Sequence, residues 1–326
     1  MANDCSADGG RSVMVSPYRS LEGRLKFSPE QADSTVVSAL RLQKVSYREL
    51  ALRSLDQLPP FSPILNKLLA SLANEDVSFA QLAGLIERDT VLSANVLRLV
   101  NSAVYGRRGT ISSIPHAISL VGLNKLRNTV LSLSIAHMWK KVRTPEGWSS
   151  LRFNLHALST AILADHLAQH VPVEYAEGAF VGGLLHDMGR LLIAIAFPAE
   201  YEEIRTLLGQ SELALVDCEK EIIEISHAEL SAAALARWNL PAEVVRAVEF
   251  HHFPDRLPGN GGGPHLAHLI HAADRCSKAM GITIEPAESV PTAPAALLSE
   301  FGLEAEVVER ILESFNAEFE TIRQTF

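Results

Sequence analysis

Cysteine is scarce in this 326-residue chain. Only Cys5, Cys218 and Cys276 occur, and no two of them form a C-x-x-C pair. The sequence therefore argues against a disulfide-stabilised scaffold and a thiolate zinc site, and it favours a reducing, cytoplasmic location. No N-terminal stretch combines a basic head with an apolar core, and no apolar run reaches the roughly 18 residues of a membrane-spanning helix. We expect a protein that is neither exported nor membrane-anchored.

A basic excess is also missing, because the formal net charge is −9 at pH 7. This balance disfavours a general nucleic-acid-binding surface or a membrane surface, so we expect neither nucleic acid nor membrane among the partners. Aromatic residues make up only 6% of the chain, while 47% is hydrophobic and 21% is charged. These proportions are typical of a globular protein with one large domain or about two smaller ones.

Helical periodicity is the main pattern that is present. Beyond the polar N-terminal segment, apolar residues recur at helical spacing, and the first half shows no strand-length alternation. Ser78 and Gln81 form a predicted capping box, with Val77 and Leu82 as its hydrophobic staple. The sequence therefore predicts an all-α fold.

The charged, proline-containing segment KKVRTPEGW is the best candidate boundary within the chain. We predict a partly flexible extension over residues 1–45, a helical lobe over 46–145, a second lobe over 146–285 and a helical tail over 286–326. Helices in the second half are predicted over about 151–170, 175–197, 199–209, 211–224, 227–238, 242–252 and 264–280.

Histidines and aspartates in the second half form a candidate metal site. The candidate ligands are His156, His186, Asp187, His227, His251, His252 and Asp274. Imidazole and carboxylate suit first-row divalent metals, and one carboxylate can bridge two such ions. Because the set exceeds the four ligands of a tetrahedral zinc site, we predict a two-metal site in which Asp187 is the bridge.

The position of His227 gives a prediction about its protonation. Ser226 and Glu229 form a second predicted capping box, which places His227 in the first turn of its helix. The positive end of the helix dipole disfavours a protonated histidine there. We therefore expect a neutral imidazole, which is the form that binds metal.

The order of these residues, together with longer motifs, resembles a known family. The pattern H…HD…H…HH…D is similar to the metal-ligand pattern of the HD superfamily of phosphohydrolases, including its HD-GYP branch. A closer resemblance is to the HDOD family, the HD-related output domain of bacterial signalling proteins. It rests on these segments in order: LPPFSPILNKLLASL, FAQLAGLIERDTVLSANVLRLVNSAVYG, ISSIPHAISLVGLNKLRNTVLSLS, FVGGLLHDMGRLLI, HAELSAAALARWNLP and AVEFHH. The resemblance covers roughly residues 46–280, and RLVNSAVYG is particularly specific.

The resemblance implies an all-α fold in which an N-terminal helical lobe packs against an HD-like lobe. It also implies a regulatory role in bacterial signalling through interaction, and a site for two divalent ions, with iron or manganese expected. One ion would be held by His156, His186, Asp187 and Asp274, and the other by Asp187, His227, His251 and His252. The superfamily chemistry is hydrolysis of phosphate esters by a metal-activated water.

The sequence departs from the enzymes of the superfamily at three places. In HD-GYP enzymes a GYP signature follows the histidine pair, whereas the segment here is HHFPDRLPG. This difference removes a determinant of cyclic dinucleotide specificity. Arg190 stands where a lysine commonly follows the HD pair, and arginine would bind phosphate as a fork and not as a point charge. Arg152 stands where some HD-GYP members have a glutamate, so we expect no third metal.

Two classes of function stay open at this point. The preferred hypothesis is a non-catalytic regulatory protein that binds a signalling protein or a phosphate-containing small molecule. The alternative is a metal-dependent phosphohydrolase or phosphodiesterase acting on a nucleotide or cyclic nucleotide, with Asp187 and Arg190 as its catalytic residues. His186 and Asp187 could also be a hydrogen-bonded structural pair. We interpret three later histidines as an exposed stripe, namely His265, His268 and His271.

Overall fold

The computed structural model describes residues 46–58, 61–70, 78–101, 111–140, 142–258, 263–288 and 290–324. The segment Ser46–Phe326 forms one compact unit. The predictions for the extension over residues 1–45 and for the staple residue Val77 lie outside the described residues. The boundaries predicted near residues 145 and 285 stay predictions.

Regular secondary structure in the described part of the chain is helical, which confirms the predicted all-α class. The helices of the first half are α1 (Tyr47–Ser54), α2 (Pro63–Ala70), α3 (Phe79–Glu87), α4 (Thr90–Val100), α5 (Ile114–Val121) and α6 (Leu123–Trp139). Those of the second half are α7 (Ser150–Ala168), α8 (Ala179–Leu185), α9 (Met188–Ala196), α10 (Pro198–Gln210), α11 (Leu215–Ile223), α12 (His227–Arg237), α13 (Ala242–Glu249), α14 (Leu266–Ala279), α15 (Pro294–Ser299) and α16 (Ala305–Arg323).

Helices α2 to α6 pack on one another through the apolar stripes that the sequence shows. Leu68, Leu82, Ile86 and Val96 are fully buried between them. The predicted capping box at α3 is confirmed, since the side chains of Ser78 and Gln81 bond each other's backbone N–H. Helix α6 also contacts α8, so this group of helices packs directly on the second half.

Helix α7 lies at the centre of the second half, where it contacts α8, α14 and α16. The crossing of α7 and α8 is tight, because a Cβ added at Gly183 would lie 2.7 Å from the Cα of Ala161. The sequence GG before the HD pair thus serves close helix packing. Helix α12 contacts both α9 and α13, and α13 contacts α14, so the helices that carry the candidate ligands surround one region.

The helix predicted over residues 175–197 is in fact two helices, and the break between α8 and α9 falls at His186 and Asp187. Asp187 leaves helical geometry, with φ −98° and ψ 11°. The break directs α9 against α12, where the Gly189 N–H donates to Ser231 Oγ at 2.7 Å. A single straight helix would not bring Gly189 to this contact.

The apolar stretch Ala176–Ala196 is long enough and apolar enough to cross a membrane, which differs from the expectation that no such stretch exists. Its hydropathic window is 89% buried inside the structure. Core helices pass the same test of length and composition. The stretch packs here as the core of the second half.

Candidate metal centre

The structure brings all seven predicted ligands to one buried region. His156 lies in α7, His186 and Asp187 lie at the α8–α9 break, and His227 begins α12. Asp274 lies in α14, and His251 and His252 follow the end of α13. His252 is partly buried, and each of the other six is at most 2% exposed.

Asp187 is the centre of this group. Its Oδ1 lies 3.1 Å from His227 Nε2, 3.4 Å from His186 Nε2 and 3.7 Å from His251 Nε2. Its Oδ2 lies 3.6 Å from His156 Nε2. The one carboxylate therefore faces imidazoles on both sides.

Two sets of side chains place their donor atoms within 4.8 Å of one another, and both sets include Asp187. The first set is His156, His186 and Asp187, and the second is Asp187, His227, His251 and His252. Asp274 Oδ1 adjoins the first set, at 3.1 Å from His156 Nε2 and 3.7 Å from His186 Nε2. The grouping matches the distribution implied by the family resemblance, and metal ligation by these residues stays a prediction.

The adjacent histidines His251 and His252 both reach the site. The sequence predicted a helix through residue 252, on which two neighbours point about 100° apart. Helix α13 ends at Glu249, and the pair lies in the turn that follows. His252 Nε2 lies 2.8 Å from His227 Nε2, while His251 faces Asp187.

Three of the imidazoles are fixed by hydrogen bonds from Nδ1 to a backbone carbonyl. These bonds join His156 to Ile282 O at 2.8 Å, His186 to Gly183 O at 2.8 Å, and His251 to Val248 O at 2.7 Å. A carbonyl oxygen only accepts, so each Nδ1 carries the proton and each Nε2 presents a lone pair to the interior. Metal-binding histidines are oriented in this way.

The inward-facing atoms are buried and lack hydrogen-bond partners. They are Nε2 of His156, His186 and His251, and Oδ1 of Asp187 and Asp274. Buried polar atoms without partners are costly, and lone pairs that face one another repel. Divalent cations bound by the two sets would satisfy these atoms, and nitrogen and oxygen donors suit first-row metals. The residues present therefore fit a metal centre.

Glu219 is a site residue that the sequence analysis missed. Its carboxylate accepts from the His227 backbone N–H at 2.8 Å and from His227 Nδ1 at 2.7 Å. It is 2% exposed and lies in α11, eight residues before the histidine. One glutamate among several in DCEKEIIE carries no signal in a single sequence that singles it out.

The expectation that His227 is neutral is wrong for the protein without metal. Burial lowers the pKa of His227, but the carboxylates of Glu219 and Asp187 outweigh it and raise the pKa to about 9. The dipole of α12, on which the expectation rested, is a smaller influence than two carboxylates in direct contact. A metal ion that binds His227 Nε2 must displace a proton.

Four of the other site residues have pKa values shifted toward the charge states that ligands need. Burial lowers the pKa of His251 and of His252 well below the usual range, and neighbouring histidines add to the effect. Burial alone would raise the pKa of Asp187, but His186, His227 and Arg190 hold it well below the usual range. The pKa of Asp274 is also lowered against the effect of burial, chiefly by Lys278.

A buried arginine and a partly buried lysine stand beside the aspartates. Arg190 Nη1 donates to Asp187 Oδ2 at 3.2 Å and to Glu288 Oε1 at 2.7 Å. Lys278 Nζ donates to Asp274 Oδ2 at 2.9 Å. The sequence analysis singled out Arg190 and missed Lys278 and Glu288. The predicted phosphate-binding role of Arg190 stays a prediction.

His265, His268 and His271 are not exposed, so the interpretation of these three histidines as an exposed stripe is wrong. His265, His268 and His271 are partly buried. His271 Nδ1 donates to His251 O at 2.7 Å, and His268 Nε2 lies 3.3 Å from Asp255 Oδ1. Helix α14 turns His268 and His271 toward the segment that carries the histidine pair.

Comparisons with known proteins agree with the fold. The chain is 22% identical to an HDOD domain protein of unknown function from Geobacter sulfurreducens, with a TM-score of 0.69 over 86% of this chain and 99% of that one. A candidate phosphohydrolase from Shewanella amazonensis SB2B is 23% identical, with a TM-score of 0.66 over 85% of this chain and 98% of that one. An uncharacterized protein from Treponema pallidum (strain Nichols) is 26% identical over 201 residues, which are 61% of this chain and 38% of that protein. The chain thus spans much less than two thirds of the length of this relative.

The family of the chain follows from a match over more than half of its length. The HDOD domain matches residues 58–254, a range that contains six of the seven candidate ligands by position and stops before Asp274. This match confirms the resemblance seen in the sequence motifs, and the all-α fold of the solved HDOD structure supports it. The chain belongs to the HDOD domain family.

Proposed function

We propose that this protein is a regulatory module of bacterial signalling, located in the cytoplasm, whose HD-like lobe holds two divalent metal ions. The observation that carries the proposal is the set of buried, unpartnered donor atoms that converge on Asp187. His156, His186 and Asp274 would hold one ion with Asp187, and the second set would hold the other. Iron or manganese is the proposed metal, because both accept mixed imidazole and carboxylate ligands.

The burial of the site favours binding over turnover. His156, His186 and His251 are fully buried, and Asp187 is 2% exposed. A substrate would have to reach atoms that the surrounding helices cover in this conformation. We therefore propose that the loaded site stabilises a surface for a signalling protein, or senses a phosphate-containing small molecule, without routine hydrolysis.

A phosphohydrolase or phosphodiesterase is the second candidate, and the shared position of Asp187 favours it. A carboxylate between two divalent ions is the arrangement of two-metal hydrolytic sites, whose ions supply Lewis-acid polarisation and an activated water. In this chain Asp187 would orient the site, and Arg190, which donates to Asp187, would bind the phosphate.

Elemental analysis tests the metal proposal. We expect protein purified with added iron or manganese to contain about two ions per chain. Asp187→Asn removes the shared carboxylate and should reduce the content below one ion, while Asp255→Asn at an exposed position should leave it unchanged. A content below about one ion in the unmodified chain under all metal conditions would contradict the two-metal site.

Turnover separates the two candidate functions. The alternative predicts that metal-replete protein hydrolyses bis(p-nitrophenyl) phosphate or a member of a nucleotide and cyclic nucleotide panel. This activity should disappear in Asp187→Asn with the fold retained, as judged by circular dichroism. The regulatory proposal predicts no turnover in the metal-replete chain, and clear turnover would overturn it.

A further inference from the structure

A short segment after α14 closes over Arg190. This segment, residues 282–288, is called the strap, and its last part is the 3₁₀ turn Pro286–Glu288. The Ile282 carbonyl fixes His156, and the side chain of Ile284 is buried. Pro286 and Ala287 are exposed, so the turn lies at the surface while Glu288 points inward.

The carboxylate of Glu288 is bonded on both of its oxygens. Its Oε1 accepts from Arg190 Nη1 at 2.7 Å, and its Oε2 accepts from the Glu285 N–H at 2.8 Å. The side chain is only 7% exposed. Burial would raise the pKa of Glu288, but the positive charges of Arg190 and Lys278 lower it.

Glu288 differs from the other buried acidic groups in the residues that it contacts. Asp187 and Asp274 face the candidate metal ligands, and Glu219 is engaged with His227. Glu288 instead bonds Arg190, at 2.7 Å, which is shorter than the 3.2 Å bond from Arg190 to Asp187. It pairs with Arg190 from the side of the strap.

We propose that Arg190 forms an oxyanion site, that Glu288 is its internal ligand, and that a phosphate group takes the site when the turn Pro286–Glu288 moves away. The inference rests on the proposed function, because it gives the metal-bearing lobe a ligand class. An arginine fork accepts carboxylate and phosphate oxygens in the same geometry, so one can replace the other.

The turn can leave without unfolding the core. Its own backbone bond runs from the Glu288 N–H to the Glu285 carbonyl at 3.2 Å, and the buried anchor Ile284 precedes it. Glu285 is held separately, because it accepts from Tyr201 Oη at 2.8 Å and from Arg205. Motion of three residues would therefore expose Arg190 while the rest of the strap stays in place.

Phosphate binding by Glu288→Gln tests the inference. This substitution keeps the shape of the side chain and removes its charge. Calorimetric titration with inorganic phosphate, and separately with adenosine monophosphate, should give a dissociation constant at least about tenfold lower than that of the unmodified chain. Tightening by both probes identifies a general oxyanion site, and tightening by the nucleotide alone identifies a phosphomonoester site. Glu313→Gln, exposed on α16, is the matched control and should show no gain.

A double variant and a hydrogen-exchange measurement complete the test. Arg190→Gln added to Glu288→Gln should abolish the gain in affinity. In the unmodified chain, phosphate should speed hydrogen exchange of the Glu285 amide, which loses its acceptor when Glu288 is displaced. If neither probe binds Glu288→Gln more tightly and this amide keeps its protection, the inference is wrong.

Metal content measured on the same samples separates this inference from the proposed function. Absence of metal would contradict the proposed function, while a phosphate gain that depends on Arg190 would still support the oxyanion site. Normal metal content without any phosphate gain would overturn the oxyanion site alone.

Discussion

Single residues outside the ligand set decide how the candidate ligands are presented. Glu219 holds His227 by its backbone N–H and by Nδ1, and so orients Nε2 toward Asp187. A carboxylate behind a metal-binding histidine also raises the basicity of the imidazole. The affinity of the site should therefore depend on a residue that does not touch the metal.

The substitution Glu219→Gln tests this dependence. We expect the metal dissociation constant to rise about 10-fold to 100-fold, because the amide is a weaker acceptor for the imidazole proton. Competition with a chromophoric chelator measures the constant. Glu221→Gln, at an exposed position of the same helix, should leave it unchanged. Equal affinities for the two variants would show that Glu219 has no positioning role.

Gly189 controls the approach of α9 to α12. A Cβ at this position would lie 2.0 Å from the His227 carbonyl oxygen, so Gly189→Ala forces the two helices apart. We expect a loss of about 1–3 kcal/mol in the free energy of unfolding, measured by urea denaturation.

A matched substitution should change the free energy of unfolding in the opposite direction. A Cβ at Gly209 would meet no atom within 4 Å, so Gly209→Ala in α10 should stabilise the protein by about 0.5–1 kcal/mol. Comparable losses for both variants would mean that the close approach at Gly189 carries no special cost.

Some residues of the candidate site can be identified from one sequence, and others cannot. The gathering of His186, Asp187 and the other candidate ligands in one region was predictable, because their order and types follow the pattern of a family. Glu219, Lys278 and Glu288 were not, because their roles arise from helix packing and from a turn, which no local spacing encodes.

Among the helices, α12 shows how a local signal positions a functional residue. The capping box predicted from Ser226 and Glu229 is confirmed, and it begins the helix at His227. Glu229 also accepts from Arg48 of α1 at 2.9 Å. One carboxylate therefore caps α12 and joins it to a helix far away in the sequence.

The titration of Glu229 should appear in the stability of the protein. Burial would raise the pKa of Glu229, but hydrogen bonds from Arg48 and Ser226 lower it from 4.5 to about 2. A lowered folded-state pKa stabilises the fold above the unfolded-state value, and this stability is lost as the pH falls from 4.5 through about 2. Urea denaturation of metal-free protein between about pH 6 and pH 3 measures the effect.

The variant Glu229→Gln isolates this contribution, because the amide can stay in the capping box without titrating. The difference in unfolding free energy between the two proteins should be constant above about pH 5 and shrink as the pH falls. A difference that does not vary over this range would contradict the assignment.

The break between α8 and α9 shows where prediction of helices fails. GGLLHDMGRLLI has continuous apolar character and contains no proline, so its periodicity favours one helix. The break depends on the contacts of Gly189 with Ser231 and His227, which belong to a distant helix. Starts marked by capping residues were predictable, and an interruption imposed by tertiary packing was not.

In the molecule as a whole, the candidate site lies where several helices of the second half meet. Ligands come from α7, the α8–α9 break, α12, the turn after α13, and α14. The all-α class and the order of these helices followed from periodicity and family resemblance. The packing of α16 on α7 did not, because the apolar side of an amphipathic tail fits many surfaces.

Metal binding should stabilise the whole fold because the ligands are brought together only in the folded state. At a free metal concentration one hundred times the dissociation constant, we expect a gain of about 2.7 kcal/mol in unfolding free energy. Thermal unfolding with metal, and again after chelation, measures the gain as a shift in Tm. Asp187→Asn should show no shift. If the Tm of the unmodified chain is the same with metal and after chelation, this result would contradict a metal centre.

The wide spacing of the ligands along the chain has a consequence for biosynthesis. His156 leaves the ribosome long before Asp274, and α14 must pack before the site is complete. A nascent chain thus offers only part of the ligand set, while domains fold from the N-terminus as they emerge. Under the proposed function, metal insertion would follow translation, and each new molecule would pass through a metal-free stage whose duration depends on metal supply.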